Sequence, residues 1–186
     1  VLPGDEMVRE PATQTTRADT VEAAPDEVWP WLVQLGADRG GFYSYDLLEN
    51  LFGLGIHSAD RVVPEWQHDL VHGDARGTAG WYVMEVRPGE ALVLKMADVE
   101  AGRPIRRDEG LKWEFLRTFV VRGAPGGPSR LIVRERTAFD SRFTQALLAP
   151  LGVVSFVMTQ KMLRGIKARA EAAGVRGSVA PPVVDT

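Results

Sequence analysis

The sequence predicts an α+β domain in which a long C-terminal helix packs against an antiparallel sheet. Three observations carry this expectation. Strand-like runs occupy most of residues 81–139. Two clusters of turn residues separate those runs as hairpin connections: Arg87-Pro88-Gly89-Glu90 and Gly123-Ala124-Pro125-Gly126-Gly127-Pro128-Ser129. After Ser141 the apolar spacing becomes helical and holds to about Ala173. At 186 residues the chain is long enough for one domain with a substantial core.

Residues 1–12, with Pro3, Gly4 and Pro11, read as an irregular lead-in to a single domain over 13–173. Thr13–Val21 is rich in β-branched residues and reads as a first strand. Asp26 and Glu27 put acidic side chains in a first helical turn. Val28, Trp29, Leu32 and Leu35 continue that helix until Gly36, and Pro30 is tolerated only within its first turn. Gly40-Gly41 is a break. Ser44 then caps a second short helix carrying Leu47, Leu48, Leu51 and Phe52, stopped by Gly53 and Gly55. The polar stretch Ile56–Asp74 reads as loops.

Trp81–Val86 and Ala91–Met96 form the first hairpin, and Leu111–Arg122 with Arg130–Phe139 the second. Between them Asp98–Gly110, charged and carrying Gly102 and Pro104, reads as a mobile loop. In the final helix Leu147, Leu151, Val154, Met158 and Met162 form one stripe, which Ile166 continues. Pro150 should kink this helix or begin its main part. Its first half is apolar nearly all round and is expected to be buried. Lys161, Arg164, Lys167 and Arg169 suit a solvated second half. Gly174 is expected to stop it, leaving 174–186 as a disordered tail.

Composition removes several function classes. With 45% apolar and 25% charged residues the balance is that of a globular chain. A net charge of -3 gives no basic footprint for nucleic acid. Cysteine is absent, which excludes disulfides, thiolate catalysis and thiolate zinc sites. The apolar run Ala146–Met158 is interrupted by Pro150, Gly152 and Ser155 and falls short of the roughly 18 residues needed to span a bilayer. A cytoplasmic chain without a membrane span is expected, monomeric or weakly dimeric, with room for an anchor upstream of Val1.

Strand, two short helices, a run of antiparallel strands and one long final helix is the order of the helix-grip fold. In that fold a curved antiparallel sheet wraps around the C-terminal helix. The residues that carry the likeness are Ala24-Pro25-Asp26-Glu27-Val28-Trp29-Pro30-Trp31-Leu32, then Gly40-Gly41-Phe42-Tyr43-Ser44-Tyr45-Asp46, then the closing helix. Over roughly Thr13 to Ala173 the chain resembles the START/SRPBCC superfamily, which includes birch-pollen-allergen-like proteins and polyketide cyclases. Tyr43 to Trp66, with His57-Ser58-Ala59-Asp60-Arg61, looks like an uncharacterised actinobacterial-type subgroup. The resemblance implies a cavity between sheet and final helix for lipids, sterols, polyketides or similar molecules. It implies no single chemistry, because the fold serves carriers, sensors and enzymes alike.

The second hairpin locates that cavity. Symmetric pairing about Gly126 sets Arg117 opposite Glu135, Phe119 opposite Val133 and Val121 opposite Leu131. Side chains alternate along strands, so Trp113, Phe115, Arg117, Phe119 and Val121 share one face with Leu131, Val133, Glu135, Thr137 and Phe139. Lys112, Glu114, Thr118, Arg134 and Arg136 fall on the other face, which is expected to meet water. The expected cavity wall is therefore Trp113, Phe115, Arg117, Phe119, Val133, Glu135 and Thr137, with Leu151, Val154, Met158 and Met162 from the helix. Arg117 and Glu135 have two readings: a salt bridge that fixes strand register, or a polar anchor for a ligand carbonyl or carboxylate. In the first hairpin Trp81, Val83, Leu92, Leu94 and Met96 face inward, with Tyr82 and Met84 outward, or the reverse.

Residues 43–66 are dense in reactive side chains: Tyr43, Tyr45, Asp46, Glu49, His57, Asp60, Arg61 and Glu65. They read first as a well-satisfied loop, then as a cavity entrance, and last as an acid–base site of His57 with Tyr43 or Asp60 beside it. Glu65, His68 and His72 have a spacing that helical metal ligands use, but no apolar helical pattern supports the stretch. Surface histidines and no metal are expected, and no organic cofactor. Gly36, Gly40 and Gly41 have no Walker-type lysine and no preceding strand, so they read as turn glycines. There is no Gly-x-Ser-x-Gly elbow.

Three functions follow in order. Carriage or sensing of a small hydrophobic molecule leads. A cyclase- or dehydratase-type enzyme on a polyketide-like or lipid-like substrate comes second, with His57, Tyr43, Glu135 and Arg117 as candidates, Arg117 as an enolate stabiliser. A protein- or membrane-surface module is third, motivated by Ala146–Met158, and burial of Leu147, Leu151 and Phe156 would remove its motive.

Overall fold

The computed structural model describes residues 1–36, 40–41, 43, 58–68, 80–98, 101–106 and 113–178. Its elements are β1 (Thr13–Val21), α1 (Pro25–Val33), β2 (Trp81–Arg87), β3 (Ala91–Asp98), β4 (Arg103–Pro104), β5 (Trp113–Gly123), β6 (Ser129–Phe139) and α2 (Arg142–Ser178). The strands form one antiparallel sheet in the order β1-β6-β5-β3-β2, with β4 added to β3. Curved sheet and long closing helix make this the helix-grip form of the α+β class. The second short helix expected after Ser44 lies outside the described residues.

Local chemistry accounts for the elements. Pro25 occupies the first helical position of α1, and the Glu27 carboxylate accepts the Ala24 backbone N–H at 2.8 Å. Pro30 lies in the second turn rather than the first. The carbonyl it orphans belongs to Asp26, an exposed residue that water can satisfy. In the second hairpin Gly126 supplies a φ of 73°, a value a side chain would resist. The register beyond that turn is Arg117↔Glu135, Phe119↔Val133 and Val121↔Leu131, as symmetric pairing predicts.

The first hairpin resolves its own ambiguity through a bulge between Val83 and Glu85. Trp81 and Val83 face the concave side, and after the extra residue Val86 does too. Met84 packs on the opposite face. Within the loop expected from Asp98 to Gly110, Arg103 and Pro104 pair with Asp98 and Ala97. Pro104 donates no hydrogen bond, so it suits the end of a short edge strand.

The convex face departs from expectation. Glu114 and Thr118 do not meet water but are 7% and 1% exposed, because residues 1–8 fold back across the sheet. Val8 packs with Val93, Leu116 and Ala138, and Leu2 with Ala91 and Val120. Asp5 anchors this segment through ion pairs to Arg134 at 2.6 Å and Arg136 at 3.2 Å. Thr118 donates to the Pro3 carbonyl, and Lys95 pairs with Glu114 at 2.7 Å. The lead-in contains a 3-10 turn, Asp5–Met7, and shields a polar strip that would otherwise be solvated.

The concave face carries the main core. Val28, Trp31 and Leu32 of α1 meet Met162, Leu163, Ile166 and Ala170 of α2 over Val83, Leu92, Leu94, Phe119, Val121, Leu131 and Val133. This corrects the expected burial of α2. Its first half, apolar nearly all round, is exposed: Phe143 by 77%, Leu147 by 66%, Val153 by 67% and Phe156 by 52%. Its second half is the buried one, and it runs past Gly174 to Ser178. By length and composition Arg142–Gly174 is long and apolar enough to cross a membrane, as the core helices of some soluble proteins are, with a mean hydropathy of 1.5 and 17% burial in its most apolar window. This differs from the expectation that no segment is long and apolar enough to span a bilayer. Burial of Met162, Leu163 and Ile166 in the core nevertheless ties the helix to the domain.

Candidate functional site

The two halves of the concave face differ. Toward the β5–β6 turn, α1 and the second half of α2 fill it. Toward the other end, among the described residues, the first half of α2 alone stands over it, and there a cavity of about 590 Å³ remains. That volume lies within the roughly 300–1,000 Å³ usual for small-molecule pockets. Trp113, Phe115, Arg117, Thr137 and Phe139 line it from β5 and β6, Thr13 from β1, and Trp81 and Met96 from β2 and β3. Leu148, Leu151, Val154, Ser155, Met158, Thr159 and Met162 line it from α2.

Three residues expected on this wall are elsewhere. Phe119 and Val133 are 1% and 0% exposed within the packed core, two residues along their strands from Arg117 and Glu135 toward the filled end. Glu135 lies behind the wall, because Ser155 and Thr159 of α2 cover its carboxylate. Oε1 of Glu135 accepts from Arg117 Nη2 at 2.6 Å and Nε at 3.1 Å, from Thr159 at 2.7 Å and from Ser155 at 3.2 Å. Oε2 accepts from Arg17 Nη1 at 3.0 Å and Thr15 at 3.4 Å. Burial pushes the Glu135 carboxyl upward, but the Arg117 charge, the Thr159 hydroxyl and Arg17 outweigh it and hold it below the ordinary 4.5. The group is therefore ionised and saturated with donors.

Arg117 differs from its partner in facing the cavity. Its guanidinium stands 4.9 Å from the Trp81 ring centre and 5.4 Å from that of Phe115. Nη2 also donates to Thr159 at 3.2 Å, while Nη1 bonds to none of the described residues. Arg17, on the edge strand, places its guanidinium 4.1 Å from the Phe156 ring centre. Sequence reasoning missed Arg17, Ser155 and Thr159. A signal for the last two existed: they are polar residues one turn apart within an apolar helical run. Arg17 had no such signal, since its face depends on β1 pairing with β6.

The candidate acid–base residues do not gather at the cavity. Tyr43 is 2% exposed in the core, not on the wall. Its hydroxyl accepts from Gln34 Nε2 at 2.8 Å, its ring meets Trp31 edge-on, and Arg169 stacks 4.8 Å from its centre. Burial pushes its phenol far above the ordinary value, against smaller opposing effects of Gln34 and Arg169, so it remains protonated. Asp60 has a side chain 97% exposed and meets Arg169 at 3.5 Å. Gln34 ties the adjoining chain down by donating to the Arg61 carbonyl and accepting from the Val63 N–H. None of the described residues among 43 and 58–66 lines the cavity. His57 and His72 lie outside the described residues. Among the described residues no group of three His, Asp or Glu side chains is placed to hold a metal.

No family model and no curated protein matches the chain. Solved structures similar to it include a hypothetical protein from Helicobacter pylori, 14% identical with a TM-score of 0.48, covering 91% of this chain and 95% of that one. A Chromobacterium violaceum protein is 15% identical with a TM-score of 0.47, covering 85% and 96%. A point mutant of norcoclaurine synthase from Thalictrum flavum, in complex with a transition-state analogue, is 12% identical with a TM-score of 0.45, covering 87% and 95%.

Proposed function

We propose that this protein binds a small hydrophobic molecule, as a carrier or sensor, in the cavity between the sheet and the first half of α2. Membership of the START/SRPBCC superfamily is part of this reading, and so is action as a monomer or weak homodimer. One observation carries it: a cavity of about 590 Å³ walled by Trp81, Trp113, Phe115, Phe139, Leu151 and Met158, with Arg117 as its charged side chain among the described residues. Apolar walls with few polar groups are the general design of ligand pockets. The uncharged fluorophore N-phenyl-1-naphthylamine tests it directly. A saturable rise in its emission that Phe115→Glu abolishes is expected. Absence of saturable binding, together with no bound apolar mass in native mass spectrometry of the purified protein, would remove the proposal.

A cyclase or dehydratase has less support. It needs a group that gives or takes a proton at the cavity, and of the candidates among the described residues Glu135 is saturated, Asp60 exposed and Tyr43 buried elsewhere. A surface for a protein or membrane partner has one specific support, the exposure of Phe143, Leu147, Val153 and Phe156. Co-sedimentation with phosphatidylcholine–phosphatidylglycerol vesicles, lost in Phe143→Ser/Leu147→Ser, is the result that reading expects.

A further inference from the structure

We propose that the cavity selects an anionic amphiphile, whose carboxylate head meets Arg117 and whose apolar body lies against Trp113, Phe115 and Leu151. This rests on the binding function proposed above and specifies its ligand class. Three ionised side chains meet where the cavity borders the core. Arg17 and Arg117 share one counter-ion, Glu135, at 3.0 and 2.6 Å. The side chains are 9%, 12% and 7% exposed in that order, so solvent screens them weakly. The remaining partners of the carboxylate, Thr15, Ser155 and Thr159, are neutral hydroxyls. Among the described residues the cluster therefore holds two positive charges against one negative.

An uncompensated charge in a poorly solvated site is unfavourable. The aromatic faces beside Arg17 and Arg117 ease this but supply no counter-charge. The surplus cannot be directed at Glu135, which already accepts four donors on Oε1 and two on Oε2. It is presented instead through Arg117, the charged group on the cavity wall among the described residues. A carboxylate there restores neutrality. A neutral head leaves the imbalance and a cationic head worsens it.

The test compares dodecanoate, 1-dodecanol and dodecyltrimethylammonium, below their micellar concentrations, by isothermal titration calorimetry at neutral pH. Chain length is constant and only the head changes. Dodecanoate is expected to bind about ten- to hundredfold more tightly than dodecanol, the range of one hydrogen bond to a charged group. The cationic probe is expected to bind weakest. Arg117→Lys should keep the order and Arg117→Met should bring dodecanoate to parity with dodecanol. If Arg117→Met does not fold, the head-group series on the unaltered protein decides alone. Like affinity for all three, or preference for the cation, overturns the anionic selectivity while leaving the binding function standing. Failure of all three to bind overturns the anionic amphiphile, and the binding function falls with it only if N-phenyl-1-naphthylamine also fails to bind and no apolar mass is found.

Discussion

The two halves of α2 have opposite fates. Residues 143–157 are the more apolar half, yet Leu147, Val153 and Phe156 are more than half exposed. The half from Thr159 onward carries Lys161, Arg164, Lys167 and Arg169, yet buries Met162, Leu163, Ile166 and Ala170 almost completely. The difference lies in what stands opposite. The charged half has α1 on one side and the closed end of the sheet on the other, with Lys161 and Arg164 exposed and Arg169 stacked on Tyr43. The apolar half crosses the end of the sheet where the cavity lies. Hydrophobicity supplies a driving force for burial, but burial needs a partner surface.

The predictions probe that division. Arg117→Met acts at its boundary, stripping Glu135 of its main counter-ion while leaving Arg17, and should cost about 3 kcal/mol in urea unfolding. An unchanged midpoint would mean the pair adds nothing to the fold. Ile166→Ala empties a fully buried site in the filled half and should cost about 2–5 kcal/mol. Gly165→Ala should cost about 1–3 kcal/mol, because its Cβ would stand 2.5 Å from the Tyr43 carbonyl oxygen, a backbone atom that cannot move cheaply. Tyr43 is itself held at a φ of 52°, which limits its adjustment.

Acid sharpens the same boundary. The folded carboxyl of Glu135 lies below its unfolded value near 4.5, so its contribution is complete above that pH and is lost as pH falls through the lower folded value. The difference in unfolding free energy between the unaltered protein and Glu135→Gln should shrink as pH falls below about 4.5, and a difference independent of pH would contradict the assignment. Smallest of all, Leu147→Ala in the exposed half should change stability by no more than about 0.5 kcal/mol. A loss near that of Ile166→Ala would show that Leu147 is covered in solution.

Much of the sheet was legible because its signals are local. The Gly126 turn and the alternation of Trp113–Val121 were enough to pair Arg117 with Glu135. The first hairpin was not, since one extra residue between Val83 and Glu85 changes which side chains share a face. Nor was the convex face. Glu114, Thr118 and Arg134 look solvated along their own strands, and only the return of Leu2, Asp5 and Val8 makes that strip interior. At the site Trp113, Phe115, Thr137, Leu151 and Met158 follow from alternation and helical period. Arg17 depends on which strand pairs β6, and the displacement of Phe119 and Val133 depends on where α1 seats against the sheet.

By itself, then, the sequence determined the class of fold, the hairpin register, the final helix and an apolar face bearing one ion pair. Periodicity and turn chemistry are properties of neighbours along the chain, and they survive without knowledge of what packs where. Tertiary structure alone decided that the face divides into a filled half and an open one. It also decided that a second arginine joins the pair, and that the most apolar part of the long helix remains exposed. The first two depend on contacts between residues more than a hundred positions apart, Val28 and Leu32 with Ile166 and Ala170 and Arg17 with Glu135, and no local pattern encodes such a meeting.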